Sequence, residues 1–265
     1  MSRGNKAPKE CEGQMSIFDF CSDTSHYVVQ SNKIIEGKQS LSIKGAKLIR
    51  ATIMQSVRDD EDLKPYVIRI DELSSLLGIS RTNLYRDIDA ITDEIVQNPL
   101  FVKEIRGDKK KKISWVKIPW VTLCRYDSDV GVMIQLNEAL KPYLIGLRNK
   151  YTQYTFDNIL HMKSIYSLRI FEMLQNKIYF KCIPLEGVEV ELTLDEIRCG
   201  CDCEDKYKQY IHLRDRVIER AVNEINETTF YQVTYTPLKK GKAIDRILFH
   251  VNVFYHTGAV VEMVK

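Results

Sequence analysis

The chain has 265 residues, of which 44% are hydrophobic and 28% are charged, and its formal net charge is +3. This composition supports a sizeable buried core and excludes a wholly disordered, collagen-like or mucin-like chain. No apolar run approaches the roughly 18–20 residues that cross a bilayer, and the N-terminus lacks a signal-peptide core, so we expect an intracellular protein. Seven scattered cysteines do not suggest a secreted disulfide framework. A net charge near zero does not exclude nucleic-acid binding, because it says nothing about where the charges lie.

Residues 1–26 hold few apolar residues and no hydrophobic period, and this pattern predicts a disordered tail. A first helix follows, whose apolar residues, three or four positions apart on one face, are Ala46, Ile49, Ile53 and Val57. A strand over Tyr66–Ile70 then leads into a short helix, Asp71–Leu77. That helix is predicted to end at Gly78, because glycine best tolerates a left-handed cap.

A longer helix, with Ser80 as its N-cap, is predicted to end before Pro99. Its apolar face consists of Leu84, Ile88, Ile91 and Ile95. Two β-rich runs follow, Leu100–Arg106 and Ile113–Ile118. The lysine-rich segment between them predicts a β-hairpin with a basic tip.

The same order of elements is predicted a second time. A helical connector at Asn137–Leu147 precedes an amphipathic helix around Ile165–Leu174 and a strand at Val188–Leu192. Thr193 and Glu196 have the spacing of a capping box for a short helix that ends near Gly200. The remaining predicted elements are a long helix from about Asp205 to Glu227 and a hairpin of Phe230–Thr236 and Ile244–Val253 around a basic turn.

Val67–Gly78 and Glu189–Gly200 share the local order of strand, Asp-Glu pair and short helix, which supports a repeat. A short helix followed by a long one is a helix-turn-helix, and the hairpin behind it is a wing. We therefore predict an α+β fold of two tandem winged-helix domains, at residues 27–150 and 151–265, behind a disordered N-terminal tail at 1–26.

In the second module, the long helix is predicted to place its exposed face in the major groove. The candidate DNA-binding residues of this module are Lys206, Lys208, Gln209, His212, Arg216, Arg220 and Asn223 on the helix, and Lys239, Lys240 and Lys242 on the wing. A solvated helix face is the alternative, but the position in the motif and the basic wing favour DNA. The apolar face of this helix is predicted to consist of Tyr210, Val217, Ile218, Ala221 and Ile225. Arg214 lies within this apolar arc, so it either pairs with a carboxylate or faces DNA on a rotated helix.

In the first module, the candidate DNA-binding residues are Arg81, Thr82, Asn83 and Arg86 on the long helix, and Lys109, Lys110, Lys111 and Lys112 at the hairpin tip. Asp89 and Asp93 would repel phosphate, so only the first turn and a half of this helix can approach DNA. The lysine tip could instead protect a strand edge from aggregation. We predict that the second module reads bases, while the first holds the DNA backbone or contacts a partner subunit.

Three segments resemble plasmid replication initiators of the tandem winged-helix, iteron-binding family: Tyr27–Lys33, Lys163–Glu172 and Arg216–Asn226. The resemblance covers roughly Tyr27 to Val251. It implies a bacterial cytoplasmic protein whose monomers bind direct repeats of double-stranded origin DNA and which recruits host replication proteins. It also implies a homodimer, formed through the first module, that exchanges with the monomer, binds an inverted repeat and represses its own gene. Asp215 departs from the family pattern, because many relatives look more basic there.

The tail contains Gln14-Met15-Ser16-Ile17-Phe18, which resembles the peptide that docks bacterial replication proteins on the polymerase sliding clamp. In that resemblance Gln14, Met15, Ile17 and Phe18 would fill a shallow groove on the clamp. A disordered tether suits such a peptide because it orders on binding and can be exchanged. The alternative is an apolar patch in a tail.

The cysteine cluster Cys199, Cys201 and Cys203, with His212 nearby, raises the question of a zinc site. C-x-C-x-C is tight for one tetrahedral ion and no second pair follows, so we expect turn residues and no metal. The chain has no G-x-x-x-x-G-K-[ST] phosphate loop, and its five histidines form no His-x-His pair for a nicking enzyme. We therefore expect a protein that is not an enzyme and has no cofactor.

The leading prediction is an origin-binding replication initiator. A winged-helix transcriptional repressor without a replication role is the main alternative. A nicking enzyme and a pure assembly protein that does not bind duplex DNA are alternatives of other classes. A footprint on the DNA beside the gene would separate them.

Overall fold

The computed structural model of the chain describes residues 27–55, 62–106, 112–178, 183 and 186–253. Within these residues the chain forms two winged-helix modules, and the buried side chains of both belong to one hydrophobic cluster. The predicted α+β fold of two tandem winged-helix domains is confirmed. The tail at 1–26 lies outside the described residues. In the described part of the chain, no helix has the length and apolar character that crossing a membrane requires.

The first module begins with a strand and a short helix and continues into the helix-turn-helix. Its elements are β1 (Tyr27–Ser31), α1 (Asn32–Glu36), α2 (Ile43–Gln55), β2 (Pro65–Arg69), α3 (Ile70–Leu77), α4 (Arg81–Gln97), β3 (Leu100–Arg106), β4 (Lys112–Ile118), β5 (Val121–Asp127) and β6 (Gly131–Leu136). Gly78 caps α3 at φ 62°, as predicted, and Ser80 is the N-cap of α4. The predicted apolar face of α4 is buried, as are Ala46, Ile49 and Ile53 on α2, whereas Val57 lies outside the described residues.

The predicted connector helix at Asn137–Leu147 is wrong in its extent. A 3-10 turn at Glu138–Leu140 passes into α5 (Lys141–Leu144), which stops at an extended Ile145. Pro142 fits the first turn of α5 because the N–H groups of a helix's first turn have no carbonyl partner within the helix, so none is lost. Gly146 has a φ of 65°, a left-handed conformation that does not continue a helix.

The second module repeats the order of the first. Its elements are β7 (Tyr151–Thr155), α6 (Asp157–Leu160), α7 (Ile165–Ile178), β8 (Val188–Thr193), α8 (Leu194–Gly200), α9 (Tyr210–Leu213), a π-helical turn at Arg214–Ile218, α10 (Glu219–Thr228), β9 (Tyr231–Lys240) and β10 (Ala243–Val253). The predicted capping box opens α8: the Glu196 amide donates to the Thr193 hydroxyl at 3.1 Å, and the Thr193 amide donates to the Glu196 carboxylate at 2.8 Å.

The strand order corrects the wing of the first module. The two three-stranded sheets have the matching orders β2-β6-β5 and β8-β10-β9, so the wing that corresponds to β9–β10 is β5–β6. The predicted hairpin β3–β4 forms, but as a separate two-stranded ribbon, and so it is not the wing. Every second residue of β2 is buried, at Tyr66 and Ile68. In β6 the residues opposite them, Ile134 and Val132, are buried as well, so the two strands pair with their apolar sides on the same face.

The first strands of the two modules pair with each other. β1 and β7 are antiparallel, with Tyr27 opposite Thr155 and Ser31 opposite Tyr151. This pairing joins the modules by backbone hydrogen bonds in addition to their shared core. The domain division predicted between residues 150 and 151 falls directly before β7 and stays a prediction.

Candidate nucleic-acid interface

The recognition helix of the second module is built from three continuous pieces, α9, the π-helical turn and α10. Its inner face buries Leu213, Val217, Ile218, Ala221 and Ile225. Four of these are residues of the predicted apolar face, whereas Tyr210, also predicted there, is only half buried. The helix is therefore anchored on the core along its length, with its other face in solvent.

The outward side of this helix carries the predicted DNA-contacting side chains. We call this set the second recognition face; its members are Gln209, His212, Arg216, Arg220 and Asn223, and all of them are exposed. Residues three and four positions apart lie on one face of a helix, so the structure brings His212, Arg216, Arg220 and Asn223 to the same side. Arginine, glutamine and asparagine are the side chains that suit the base edges of the major groove.

The helix begins later than predicted, at Tyr210 rather than near Asp205. Asp202 and Tyr207 have φ values of 48° and 50°, which no helix accommodates, so the segment between α8 and α9 forms turns. Arg198, at the end of α8, holds this segment: its guanidinium donates to the carbonyls of Lys206, Tyr207 and Lys208 at 3.1, 2.9 and 3.1 Å.

Arg198 therefore positions the exposed Lys206 and Lys208 in a fixed turn ahead of the recognition helix. Arg198 was not predicted from the sequence as part of this site. The only signal for it was a basic residue in the last turn of a helix, which commonly binds free carbonyl groups.

Arg214 pairs with a carboxylate, which was one of its two predicted alternatives. Its Nε donates to Asp215 Oδ1 at 2.7 Å, and its side chain is partly exposed. This hydrogen bond raises the pKa of Arg214. Both residues lie in the π-helical turn, which takes more residues per turn than an α-helix and so shifts the facing of the side chains. Asp215, the departure from the family pattern, has its charge offset by its neighbour.

The wing of the second module ends in lysines. Lys239 and Lys240 close β9 and Lys242 follows the tip, where Gly241 adopts a φ of 66°; all three lysines are exposed. The predicted wing contacts thus lie together on one exposed loop.

The helix-turn-helix of the first module is less suited to DNA. Arg81, Thr82, Asn83 and Arg86 are exposed in the first turns of α4, as the sequence indicated. Arg86 Nε lies 3.3 Å from Asp87, whose carboxylate also accepts from Lys44 at 3.1 Å, and this second bond lowers the pKa of Asp87. Asp89 and Asp93 are exposed further along the helix.

The wing of the first module has an acidic tip, which the sequence analysis missed. Asp127 Oδ1 accepts from the amides of Asp129 and Val130 at 2.9 and 3.3 Å, which fixes the turn between β5 and β6. Asp127 and Asp129 are both exposed. The alternation of Val121–Asp127 and the turn residues after it were the available signal.

The basic ribbon β3–β4 lies between α4 and the wing β5–β6 in the sequence. Lys112 begins β4, whereas Lys109, Lys110 and Lys111 lie outside the described residues. Trp115, on the ribbon, is 60% exposed; it stacks on Phe101 at 5.8 Å, and Lys117 lies over its ring at 5.7 Å.

Ile211 is a further residue that the sequence analysis missed. It is 43% exposed on α9, beside His212 and the half-buried Tyr210. An apolar residue within an amphipathic helix is ordinarily taken for core. Its position two residues before the buried Leu213 was the signal that it faces outward.

Cys199 lies in the last turn of α8, and Cys201 and Cys203 lie in the segment between α8 and α9. Cys201 and Cys203 are buried, and burial raises the pKa of the Cys203 thiol to about 11. In the described part of the chain, no three histidine, cysteine or acidic side chains are grouped so that they could hold a metal ion. The sliding-clamp residues Gln14, Met15, Ile17 and Phe18 lie outside the described residues.

Comparison with known families decides which class of winged-helix protein this is. The family model "Initiator Replication protein, WH1" matches residues 27–175, and the model "Initiator Rep protein, WH2" matches residues 193–251. The chain belongs to the initiator replication protein family. The family resemblance drawn from the sequence is confirmed.

The initiator has relatives of low identity over most of its length. A replication initiation protein of Escherichia coli is 22% identical over 230 residues, which cover 87% of this chain and 68% of that protein. An uncharacterized 27.6 kDa protein of Escherichia coli is 23% identical over 233 residues, 83% of this chain and 93% of that one. The crystal structure of the Pi initiator protein in complex with iteron DNA matches with a TM-score of 0.67 at 18% identity, covering 87% of this chain and 98% of that one. At this identity the likeness shows a shared fold.

Proposed function

We propose that this initiator binds double-stranded DNA sequence-specifically at repeated sites of a plasmid origin and so starts replication there. The observation that carries the proposal is the second recognition face, whose polar side chains are all exposed on a helix anchored to the core. Membership of the initiator family supports the replication role. The related Pi initiator was crystallised with iteron DNA, which supports direct repeats as the target.

In this proposal the second module reads bases. Arg216 and Arg220 suit guanine, and Gln209 and Asn223 suit adenine, because each can form two hydrogen bonds to those bases. His212 lies between them on the same face. The lysines around the face contact phosphates; they are Lys206, Lys208, Lys239, Lys240 and Lys242.

The first module binds the DNA backbone or a partner subunit. Its backbone contacts come from the first turns of α4 and from the ribbon tip, through Arg81, Thr82, Asn83, Arg86, Lys109, Lys110, Lys111 and Lys112. A homodimer formed through this module exchanges with the monomer, binds an inverted repeat and represses the initiator's own gene. The protein acts in the bacterial cytoplasm, recruits host replication proteins and catalyses no reaction.

A footprint of the purified chain on the DNA that flanks its gene tests the proposal. We expect protection of direct repeats spaced by one helical turn, about 10–10.5 base pairs. Protection of a single palindrome alone would point to a repressor without a replication role, and absence of protection to an assembly protein. Supercoiled origin DNA incubated with the protein and Mg²⁺ should remain uncut, because a nicked product would show an enzyme.

The sliding-clamp contact is tested separately. Immobilised bacterial clamp should retain the wild-type chain but not the double variant Gln14→Ala/Phe18→Ala. Ser16→Ala is the matched control, since it changes the same segment without touching the residues proposed to fill the groove. Equal retention of all three proteins would remove the clamp from the list of partners.

A further inference from the structure

A fully buried carboxylate joins the two modules. Glu172, on α7 of the second module, accepts from Arg50 of the first module at 3.0 Å (Nε to Oε1) and 2.9 Å (Nη2 to Oε2). It also accepts from Gln30 Nε2 at 2.8 Å, Tyr154 Oη at 2.6 Å and Arg169 Nη1 at 2.7 Å. We call these five residues the inter-module network.

Arg169 extends the network to the helix-turn-helix of the second module. Its Nε donates to the Gly200 carbonyl at the end of α8 at 2.8 Å. Its Nη2 donates to the carbonyls of Ile35 and Gly37, in the first module, at 2.6 and 3.0 Å. One guanidinium thus binds the last residue of α8 and the C-terminal end of α1 in the other module.

Lys38 makes a second link at the same place. Its ammonium lies 3.0 Å from Asp202 and 2.7 Å from Glu204, both in the turn that precedes the recognition helix. Its backbone pairs with Phe101 of the β3–β4 ribbon, so the same residue also touches the first module's basic hairpin. The turn that leads into the second recognition face is therefore held by residues of the first module.

We infer that the inter-module network fixes the distance and direction between the DNA-contacting surfaces of the two modules, with Glu172 as its central positioning residue. Apolar surfaces alone tolerate sliding, whereas hydrogen bonds between charged groups in fixed geometry select one arrangement. A buried ionic cluster is costly to desolvate and gives little stability over an apolar one, so its contribution lies in geometry. The inference rests on the proposed function, since it concerns how that DNA is read.

The expected consequence is a strict spacing requirement in the DNA site. One inserted base pair displaces the far part of a site by about 3.4 Å and rotates it by roughly 35°. A protein with rigidly joined modules cannot keep both sets of contacts across such an insertion. A protein whose modules move relative to each other loses less.

The experiment measures affinity for the footprinted origin fragment and for the same fragment with one or two base pairs inserted between the segments protected by the two modules. We expect the wild type to bind the inserted sites roughly tenfold to hundredfold more weakly, as for a mismatched base pair. Glu172→Gln should bind the native site more weakly than the wild type does. Its ratio of affinity for the native site to affinity for the inserted site should be several-fold smaller. Glu189→Gln, an exposed carboxylate on β8, is the matched control and should keep the wild-type ratio.

Two milder variants keep the test decisive if Glu172→Gln does not fold. Tyr154→Phe removes one hydrogen bond to Glu172 and leaves its ion pairs, while Arg50→Lys keeps the charge but loses the two-point contact. Folded variants, judged by one cooperative unfolding transition, whose ratio equals that of the wild type would overturn the inference. A wild type that binds all spacings equally would also overturn it, whereas a wild type that binds no origin fragment would refute the proposed function instead.

Discussion

The two modules of this initiator share one topology and differ in charge. The recognition helix of the second module exposes Arg216 and Arg220, and its wing ends in three lysines. On its own long helix and wing the first module exposes Asp89 and Asp93 on α4 and an aspartate-rich turn between β5 and β6. The winged-helix fold alone therefore does not distinguish the two surfaces; the charge placed on each of them does.

This contrast accounts for the small net charge of +3. DNA presents a dense row of phosphates, so an acidic wing is repelled from the surface that a lysine wing approaches. The basic ribbon β3–β4 places the first module's positive charge outside its wing. The first module is thus suited to gripping the backbone at one point, or to a protein contact.

The largest expected effect concerns Glu172, whose carboxylate links the two modules. Glu172→Gln leaves Arg50 and Arg169 buried without their carboxylate, so we expect the free energy of unfolding at pH 7 to fall by about 3–5 kcal/mol. Burial alone would raise the pKa of Glu172, but Arg50 and Arg169 lower it to about 2 from an ordinary 4.5. Its contribution is therefore complete above pH 4.5 and is lost as the pH falls towards 2.

Urea unfolding of wild type and Glu172→Gln between pH 7 and pH 2.5 measures this difference. The two unfolding free energies should converge as the pH falls below 4.5. Glu189→Gln serves as control, because Glu189 is exposed on β8 and lies outside the inter-module network. A gap between wild type and Glu172→Gln that stays constant down to pH 2.5 would show that the ionised carboxylate is not what stabilises the link.

The next largest effect compares one exposed arginine from the long helix of each module, Arg216 and Arg86. If Arg216 contacts a base as proposed, Arg216→Ala should weaken binding to the specific origin site by about 1–3 kcal/mol. Arg86→Ala should weaken binding to specific and random duplexes alike and by less, since a backbone contact carries no sequence information. Titrations of both variants on both duplexes measure this. If Arg86→Ala alone lost discrimination, the roles of the modules would be reversed.

Local signals in the sequence predicted much of this fold. Gly78 and the Thr193–Glu196 capping box depend only on residues a few positions away in the chain, and both are found where the sequence pattern predicted them. The exposed side of α9 and α10 could also be predicted, because the apolar residues recur with the period of a helix and mark the opposite side as buried. The start of that helix was wrong because Tyr207 adopts a positive φ, which a tyrosine does not signal.

Features that depend on distant residues could not be predicted. The partner of β2 is β6, more than sixty positions along the chain, so the hairpin next in sequence was mistaken for the wing. Arg50 lies between Ile49 and Ile53 on a helix that reads as amphipathic, and its carboxylate is on α7. Only the fold brings such residues together.

A smaller effect tests whether α9 lies in the major groove, as the comparison requires. Ile211 is exposed there, and an apolar side chain can contact the methyl group of thymine. Replacing thymine by deoxyuridine, one position at a time, should weaken wild-type binding at one position by about 0.8 kcal/mol, the value of one buried methyl group. Ile211→Ala should bind both DNAs equally at that position. If the wild type is insensitive at every position, Ile211 does not meet a thymine.

The smallest effect compares the two wing tips directly, through Lys242→Ala and Asp129→Asn. If Lys242 contacts a phosphate, its loss should reduce the slope of log affinity against log salt concentration by about 0.9, with equal changes on specific and random DNA. Asp129→Asn removes one negative charge from the other wing and should leave slope and affinity as in the wild type if that wing stays away from the DNA, as its charge indicates. Asp129 is exposed and Asp127 makes the turn's backbone contacts, so the substitution leaves the wing folded. A steeper slope and tighter binding in Asp129→Asn would mean that the acidic wing also lies beside phosphate, and the division of labour between the modules would then not follow from charge.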